Sequence, residues 1–314
     1  MTSPALWNGS RPPNSLNSKS MAHILSCTDG SPYAASIYQH SAWAATRLGI
    51  GVKVLHVLDA HRERSQGGDL TGAIGFNAGA GLTEELVKFE EAQARIARIK
   101  GKAILDDARQ QLTAAGVADI ETLQRHGSLV ETLTELEAAA ELIVIGKRGD
   151  HAASAKGHLG GQFERVIRTS IRPVLATSRA FPPISKFLIA YDGGPSITKA
   201  LDFLITSPLL KGMPCHLLRA GKIDDNATWY LEEAAQRLRQ AGYDVTSTAT
   251  AGSPEDSITA AVTAQRADLL VMGAYGHSPI RQLILGSTTT SMVRTCGVPV
   301  LMFRQEDPDW EPHR

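Results

Sequence analysis

The chain is predicted to be an α/β protein of two tandem, doubly wound parallel-sheet domains packed as an intramolecular pseudo-dimer, and three observations carry that prediction. The same series of short motifs occurs twice in the same order. Near-continuous apolar runs alternate with helical stretches in both halves. Each half closes on the same short Pro-Val-Leu segment. The length of 314 residues matches two ordinary domains. A hydrophobic fraction of 43% and a charged fraction of 20% suit a chain able to bury a core.

The repeat is read from its matching stations. AELIVIGKRGD at 140–150 mirrors ADLLVMGAYGH at 267–277, each an apolar run ending in G-x-x-G. VIRTSIRPVLA at 166–176 mirrors MVRTCGVPVLM at 292–302. CTDGSP at 27–32 mirrors AYDGGP at 190–195, and GSL at 127–129 mirrors GSP at 252–254. The predicted layout is a disordered Ser-, Pro- and Asn-rich leader over 1–20, a first domain over 21–179, a second over 184–304, and a polar tail over 305–314. Phe181-Pro182-Pro183 marks the boundary.

In the first domain the strands are HILSCT, KVLHVL, LIVIG and PVLATS, with helices near 33–48, 82–115, 129–139 and 161–170. In the second they are FLIAYD, CHLLRA, DVTSTAT, LLVMG and PVLMF, with helices near 195–206, 226–241, 254–265 and 288–296. From Asp29 to Gly146 is 117 positions and from Asp192 to Gly273 is 81, so the first half carries about 36 extra residues. These fall near 59–104, opening with GGDLTGAIGFNAGAGL, a glycine-marked mobile loop. A helical stretch with Leu82, Leu86, Phe89, Ile96, Ile99 and Leu105 follows. An insertion of this size reads either as a surface excursion or as a lid or partner-docking element. Each closing strand alone would leave an exposed sheet edge, and pairing 173–177 with 298–303 would cover both.

Lys plus Arg and Asp plus Glu are 32 each. That balance argues against a general nucleic-acid or anionic-membrane binder. No apolar run is long enough to cross a bilayer, and the start lacks a signal-peptide core, so the expectation is a cytoplasmic protein. Cys27, Cys215 and Cys296 are odd in number and far apart. They read as core side chains of a reducing compartment rather than a disulfide or zinc framework.

The chemistry is concentrated where the fourth strand of the second half ends. Gly273 and Gly276 follow Met272, and nine residues later Gly286 and Ser287 open a helix. Glycines let the backbone approach a ligand closely. The free N–H groups and dipole of a helix's first turn favour a phosphate, and Ser287 and Thr288 add hydroxyl donors. Asp192, leaving the first strand, reaches the same carboxyl edge, where a carboxylate suits ribose hydroxyls. Ligands of such sheets bind at that edge.

The G-x-x-G-x9-G-S pattern, the Asp after the first strand and the terminal PVL strand resemble the universal stress protein family, in its tandem two-domain form. The resemblance covers 22–178 and 185–304 and implies an adenine nucleotide alpha hydrolase-like, Rossmann-like fold. It implies ATP as ligand, with Mg2+ possible alongside it, held by Asp192 at the ribose and by Met272, Gly273, Gly276, Gly286, Ser287 and Thr288. Ala190 would line the adenine side, and the adenine contact of the second strand falls on Leu218 or Ala220. It also implies pairing through the PVL strand, within the chain or in a homodimer. Carried onto the first half, the pattern gives Asp29, Gly146, Gly149, Gly160 and Gly161, a weaker copy. There the spacing is ten, and glycine stands where the serine should be. Lys147 and Arg148 either offset that loss by reaching a phosphate or are solvated loop charges.

No P-loop, G-x-G-x-x-G, H-E-x-x-H or G-x-S-x-G motif is present, so no catalytic residue and no metal ligand is assigned. His56 and His216 read as hydrogen-bonded core histidines. His126 and His277 read as loop residues near the ligand edge, and Asp29 and Asp192 as carboxylates too separate for paired acid/base work. The sequence therefore points to a nucleotide-responsive stress regulator without catalysis. The alternatives are a slow nucleotide hydrolase or phosphotransferase, and a nucleotide-free scaffold that docks a protein partner.

Overall fold

A computed structural model describes residues 22–58, 80–147, 161–274 and 286–304. The first half runs β1 (His23–Cys27), α1 (Ala34–Leu48), β2 (Gly51–Leu58), α2 (Ala80–Ala114), β3 (Ile120–His126) and α3 (Leu129–Leu136). A 3-10 turn at Glu137–Ala139 leads into β4 (Ala140–Gly146), α4 (Gly161–Thr169) and β5 (Val174–Thr177). The second half runs β6 (Phe187–Ala190), α5 (Pro195–Thr206), β7 (Cys215–Ala220), α6 (Asp225–Gln240) and β8 (Val245–Thr250). It continues with α7 (Pro254–Gln265), β9 (Leu269–Gly273), α8 (Ser287–Thr295) and β10 (Val300–Phe303).

The strands make a ten-stranded sheet in the order β3-β2-β1-β4-β5-β10-β9-β6-β7-β8. Within each half the pairing is parallel, as expected of strands buried on both faces by crossover helices. The halves meet where β5 and β10 run antiparallel, with Leu175 opposite Leu301 and Val174 opposite Met302. Each PVL strand covers the edge the other would expose, so the pseudo-dimer is realised within one chain.

Alternation along the strands sends one set of side chains to each face. One face buries Ile24, Val54 and Leu175 of the first half with Phe187, Leu217, Leu301 and Phe303 of the second. The other joins Leu25, Ile143 and Phe163 to Leu218, Met272 and Met292. Both layers therefore continue across the join. Cations reinforce it from both sides. Arg47 Nε donates to the Leu209 carbonyl at 2.9 Å, and Lys199 Nζ to that of Ile171 at 3.2 Å. Arg304 Nη1 donates to Thr169 at 3.0 Å.

The sequence motifs have local causes. Asp29 accepts from the Ser31 amide at 3.0 Å and Asp192 from the Gly194 amide at 2.9 Å. Both are turns in which the intervening Gly30 and Gly193 take φ of 70° and 78°. Ser128 and Ser253 cap α3 and α7 by accepting from Glu131 and Asp256, which is why GSL and GSP recur.

One element departs from the sequence reading. Residues 120–126 form β3, which the sequence left as connection. IETLQRH has no apolar run because β3 lies at the sheet edge and pairs with β2 alone, leaving Glu121, Arg125 and His126 exposed. Its counterpart DVTSTAT was the signal that should have marked it. The insertion is in part an extended helix: α2 has 35 residues and α6, in the matching place, has 16, a difference of 19. The leader, the glycine loop over 59–79 and the tail lie outside the described residues.

Candidate functional site

In the second half, β6 lies between β7 and β9, and the register sets Ala190 against Leu218 on one side and Met272 on the other. These three side chains belong to the same buried layer, with Ile258 of α7 beside them. They form an apolar floor at the carboxyl ends of the strands. Of the two residues left open on the second strand, Leu218 is the one level with Ala190. Ala220 lies two positions further out, paired with Thr250.

Above this floor the chain leaves β6 through Tyr191 and Asp192. Oδ1 of Asp192 closes the Gly193 turn, and Arg219 Nη1 donates to the Asp192 carbonyl at 3.3 Å. A Cβ on Gly193 would stand 3.3 Å from that same Nη1, so the glycine permits the guanidinium to lie close over the turn.

The N-terminus of α8 is brought to the end of β9 by two hydrogen bonds. Thr289 Oγ1 donates to the Gly273 carbonyl at 2.9 Å, and the Gly286 amide donates to Ala274 at 3.2 Å. Gly286 occupies the cap position and supplies no side-chain cap. The first-turn amides of a helix have no intrahelical acceptor, so this end of α8 presents donors and the positive end of the helix dipole. Thr288 Oγ1 donates to Glu255 Oε1 at 2.8 Å. That bond holds the Glu255 carboxyl below the usual carboxylate range.

The structure thus gathers Ala190, Asp192, Met272, Gly273, Gly286, Ser287 and Thr288 along one edge. Gly276 and His277 lie outside the described residues. Sequence reasoning missed Arg219 and Glu255. Arg219 follows Leu218 on β7, and Glu255 follows the GSP motif by one residue, so both sat beside recognised stations.

The first-half counterpart is arranged differently. Gly146 ends β4 and Asp29 lies two residues beyond the end of the adjacent β1, and α4 begins at Gly161. Gly149, Gly160 and Arg148 lie outside the described residues. Lys147 is neither a solvated charge nor aimed at this edge alone. Its Nζ donates to the carbonyls of Cys296 and Val298 at 2.9 and 2.7 Å, in the turn that follows α8.

The remaining candidates, His126 apart, behave as core groups. His56 Nδ1 lies 2.9 Å from the Thr28 carbonyl and His216 Nδ1 2.8 Å from Thr246 Oγ1. His126 is the exposed last residue of β3. Cys27 and Cys215 are buried, and burial pushes the Cys27 thiol up to about 12, which leaves it no thiolate to react with. Among the described residues there is no His/Cys/Asp/Glu cluster fit to hold a metal ion, and no helix long and apolar enough to cross a membrane.

Comparison with known proteins gives consistent results. The family model described as the universal stress protein family matches residues 21–178 and again 183–304. A universal stress protein of Synechocystis is 38% identical over 287 residues, covering 90% of this chain and 100% of its own. A universal stress protein structure from Archaeoglobus fulgidus superposes with a TM-score of 0.69 at 21% identity, over 90% of this chain and 98% of that one. A Pseudomonas aeruginosa structure does so at 0.58 and 17%, over 90% and 93%.

Proposed function

The chain belongs to the universal stress protein family with two copies of the domain, and from that premise we propose that it is a cytoplasmic stress-response regulator that binds ATP or a related nucleotide in its second half. The observation that carries this reading is the placement of an uncapped helix start, Gly286-Ser287-Thr288, on the glycine end of β9, one strand away from the Asp192 turn. Phosphates would take the first-turn amides and the hydroxyl of Ser287, and that of Thr288 in exchange for its bond to Glu255. The ribose would take the Asp192 carboxylate, and the base would lie on Ala190, Leu218 and Met272. Gly276 completes the same motif in the sequence.

Regulation is proposed over turnover because Asp192 Oδ1 is engaged in its turn and the carboxylate beside the Thr288 hydroxyl, Glu255 at 2.8 Å, is held low and is therefore a weak base. Mg2+ bound with the nucleotide would draw on the carboxylates described at this edge, Asp192 and Glu255. The first half is the weaker site, since Gly161 replaces the serine.

The test is the thermal shift of purified protein with millimolar ATP, against a Gly286→Val/Ser287→Ala double variant whose fold is checked by circular dichroism. The wild type should be stabilised by several degrees and the variant should not. No shift in the wild type defeats the nucleotide reading. ATP turnover that disappears in Asp192→Ala would make the protein an enzyme.

A further inference from the structure

The long helix α2 carries two apolar stripes, and the fold uses one of them. Gly101, Leu105, Ala108 and Leu112 are buried where the helix packs on α1, β2 and β3. On the far side of the helix, at 100° per residue, lie Phe89, Ala92, Ile96, Ile99 and Ala103. All five are exposed: Phe89 by 49%, Ile96 by 66% and Ile99 by 60%. Their spacing of three, four, three and four residues is that of a coiled-coil seam. The matching helix α6 has no such extension, so this stripe is particular to the insertion.

We propose that the stripe pairs with the same stripe of a second copy of this chain, the two α2 helices running antiparallel about a two-fold axis. The charge along the helix favours that occupant. Residues 85–91 hold Glu85, Glu90 and Glu91 against one Lys88, whereas 95–102 hold Arg95, Arg98, Lys100 and Lys102 and no acid. An antiparallel copy lays the acidic end of each helix along the basic end of the other and opposes their dipoles. A parallel copy would stack like charge on like.

The seam is self-complementary in the same register, as a two-fold contact must be. With the axis level with Ala94, Phe89 meets Ile99 of the other copy and Ala92 meets Ile96, making four apolar layers. Glu85, which pairs with Lys88 at 3.1 Å within its own helix, then comes level with Ala103 of the other copy. Glu90 comes level with Arg98 of the other copy, whereas Lys88 comes level with Lys100, a like pair flanked on its own helix by Glu85 and Glu91.

The full-length protein tests this by sedimentation equilibrium. The weight-average mass should rise from monomer toward twice that value between about 1 and 100 μM, the range four layers can support. Ile96→Asp should hold it at the monomer with an unchanged melting temperature, since the side chain touches no core. Orientation is read with Ala92→Cys and Ala103→Cys and a short bismaleimide. In the antiparallel pair Ala92 lies within about 6 Å of its twin along the axis and cross-links, whereas Ala103 lies about 27 Å away and does not. A protein monomeric throughout overturns the proposal, whether or not it sediments with phosphatidylglycerol vesicles, which would reassign the stripe to a membrane surface. A dimer unaffected by Ile96→Asp, or one cross-linking at both positions, overturns it too.

Discussion

Leu175 and Leu301 occupy the same position in the two repeats and stand directly opposite one another across the join between β5 and β10. Both are essentially inaccessible to solvent, and both belong to the layer that runs through the two halves. The join is therefore part of the core. Leu301→Ala is expected to cost about 2–5 kcal/mol, the range for a buried leucine that leaves a cavity. Because the layers are continuous, urea unfolding followed by the tryptophans of each half should show one transition in the wild type and in the variant. Two separated transitions would show halves that fold independently.

Lys147 predicts a second effect. It directly follows Gly146, at the first-half counterpart of the edge proposed to bind nucleotide, and donates to Cys296 and Val298 just beyond α8. Lys147→Met removes both bonds and leaves two partly buried carbonyls without that donor, at a cost of about 1–3 kcal/mol. Denaturant titration measures it. Lys147→Arg should recover part of the loss, since the longer cation still reaches one carbonyl. Equal losses in the two variants would mean that the bonds contribute nothing beyond the lysine's shape.

The same residue shows where sequence reading stops. The fold class, nine of ten strands and the join were legible, because each left a local trace: a buried apolar run, an Asp-Gly turn, a capping serine before a helix. β3 left none, since an edge strand needs no apolar run. Ala190, Met272 and Ser287 were legible as motif positions, but which of Leu218 and Ala220 lies level with Ala190 could be told only from the β6–β7 register. Lys147 contacts residues 149 and 151 positions away, and nothing local announces such a bond. Arg219 and Glu255 act on the edge from neighbouring elements, for the same reason.

His40 should make stability depend on pH. It is fully buried on α1, its Nδ1 2.7 Å from the Ser36 carbonyl and its ring edge-on to Phe181 at 4.8 Å. Nε2 is buried without a hydrogen-bond partner. Burial, with a further push from the Lys147 cation, brings it from 6.5 down to about 4, against the Ser36 bond, which acts the other way. The unfolded chain therefore binds a proton that the folded one refuses, so stability is complete above pH 6.5 and falls as the pH drops toward 4. The loss amounts to about 3 kcal/mol across that window. His216 is shifted the same way, and Glu137, raised by burial, acts oppositely from pH 4.5 upward, within the same range. The His40→Gln variant isolates the effect: its stability should decline less between pH 6.5 and 4.5. Parallel curves for wild type and variant would assign the acid sensitivity elsewhere.

Glu255 distinguishes how a nucleotide would be held. Its carboxylate accepts from Thr288 at 2.8 Å, beside the α8 start proposed to receive phosphate, and the lowered titration keeps it charged at neutral pH. A fixed anion there repels phosphate through water, by the modest amount typical of exposed charges near a helix end. Without metal, Glu255→Gln keeps an acceptor for Thr288 and removes the charge, so ATP should bind about two- to five-fold more tightly. With Mg2+ present the sign depends on the carboxylate's role. If Glu255 contacts the cation or its water shell, the same substitution weakens Mg2+–ATP while still strengthening ATP alone. Isothermal titration in EDTA and in Mg2+ separates the two. A variant unchanged in both would place the phosphates away from the Thr288 end of α8, against the proposed site.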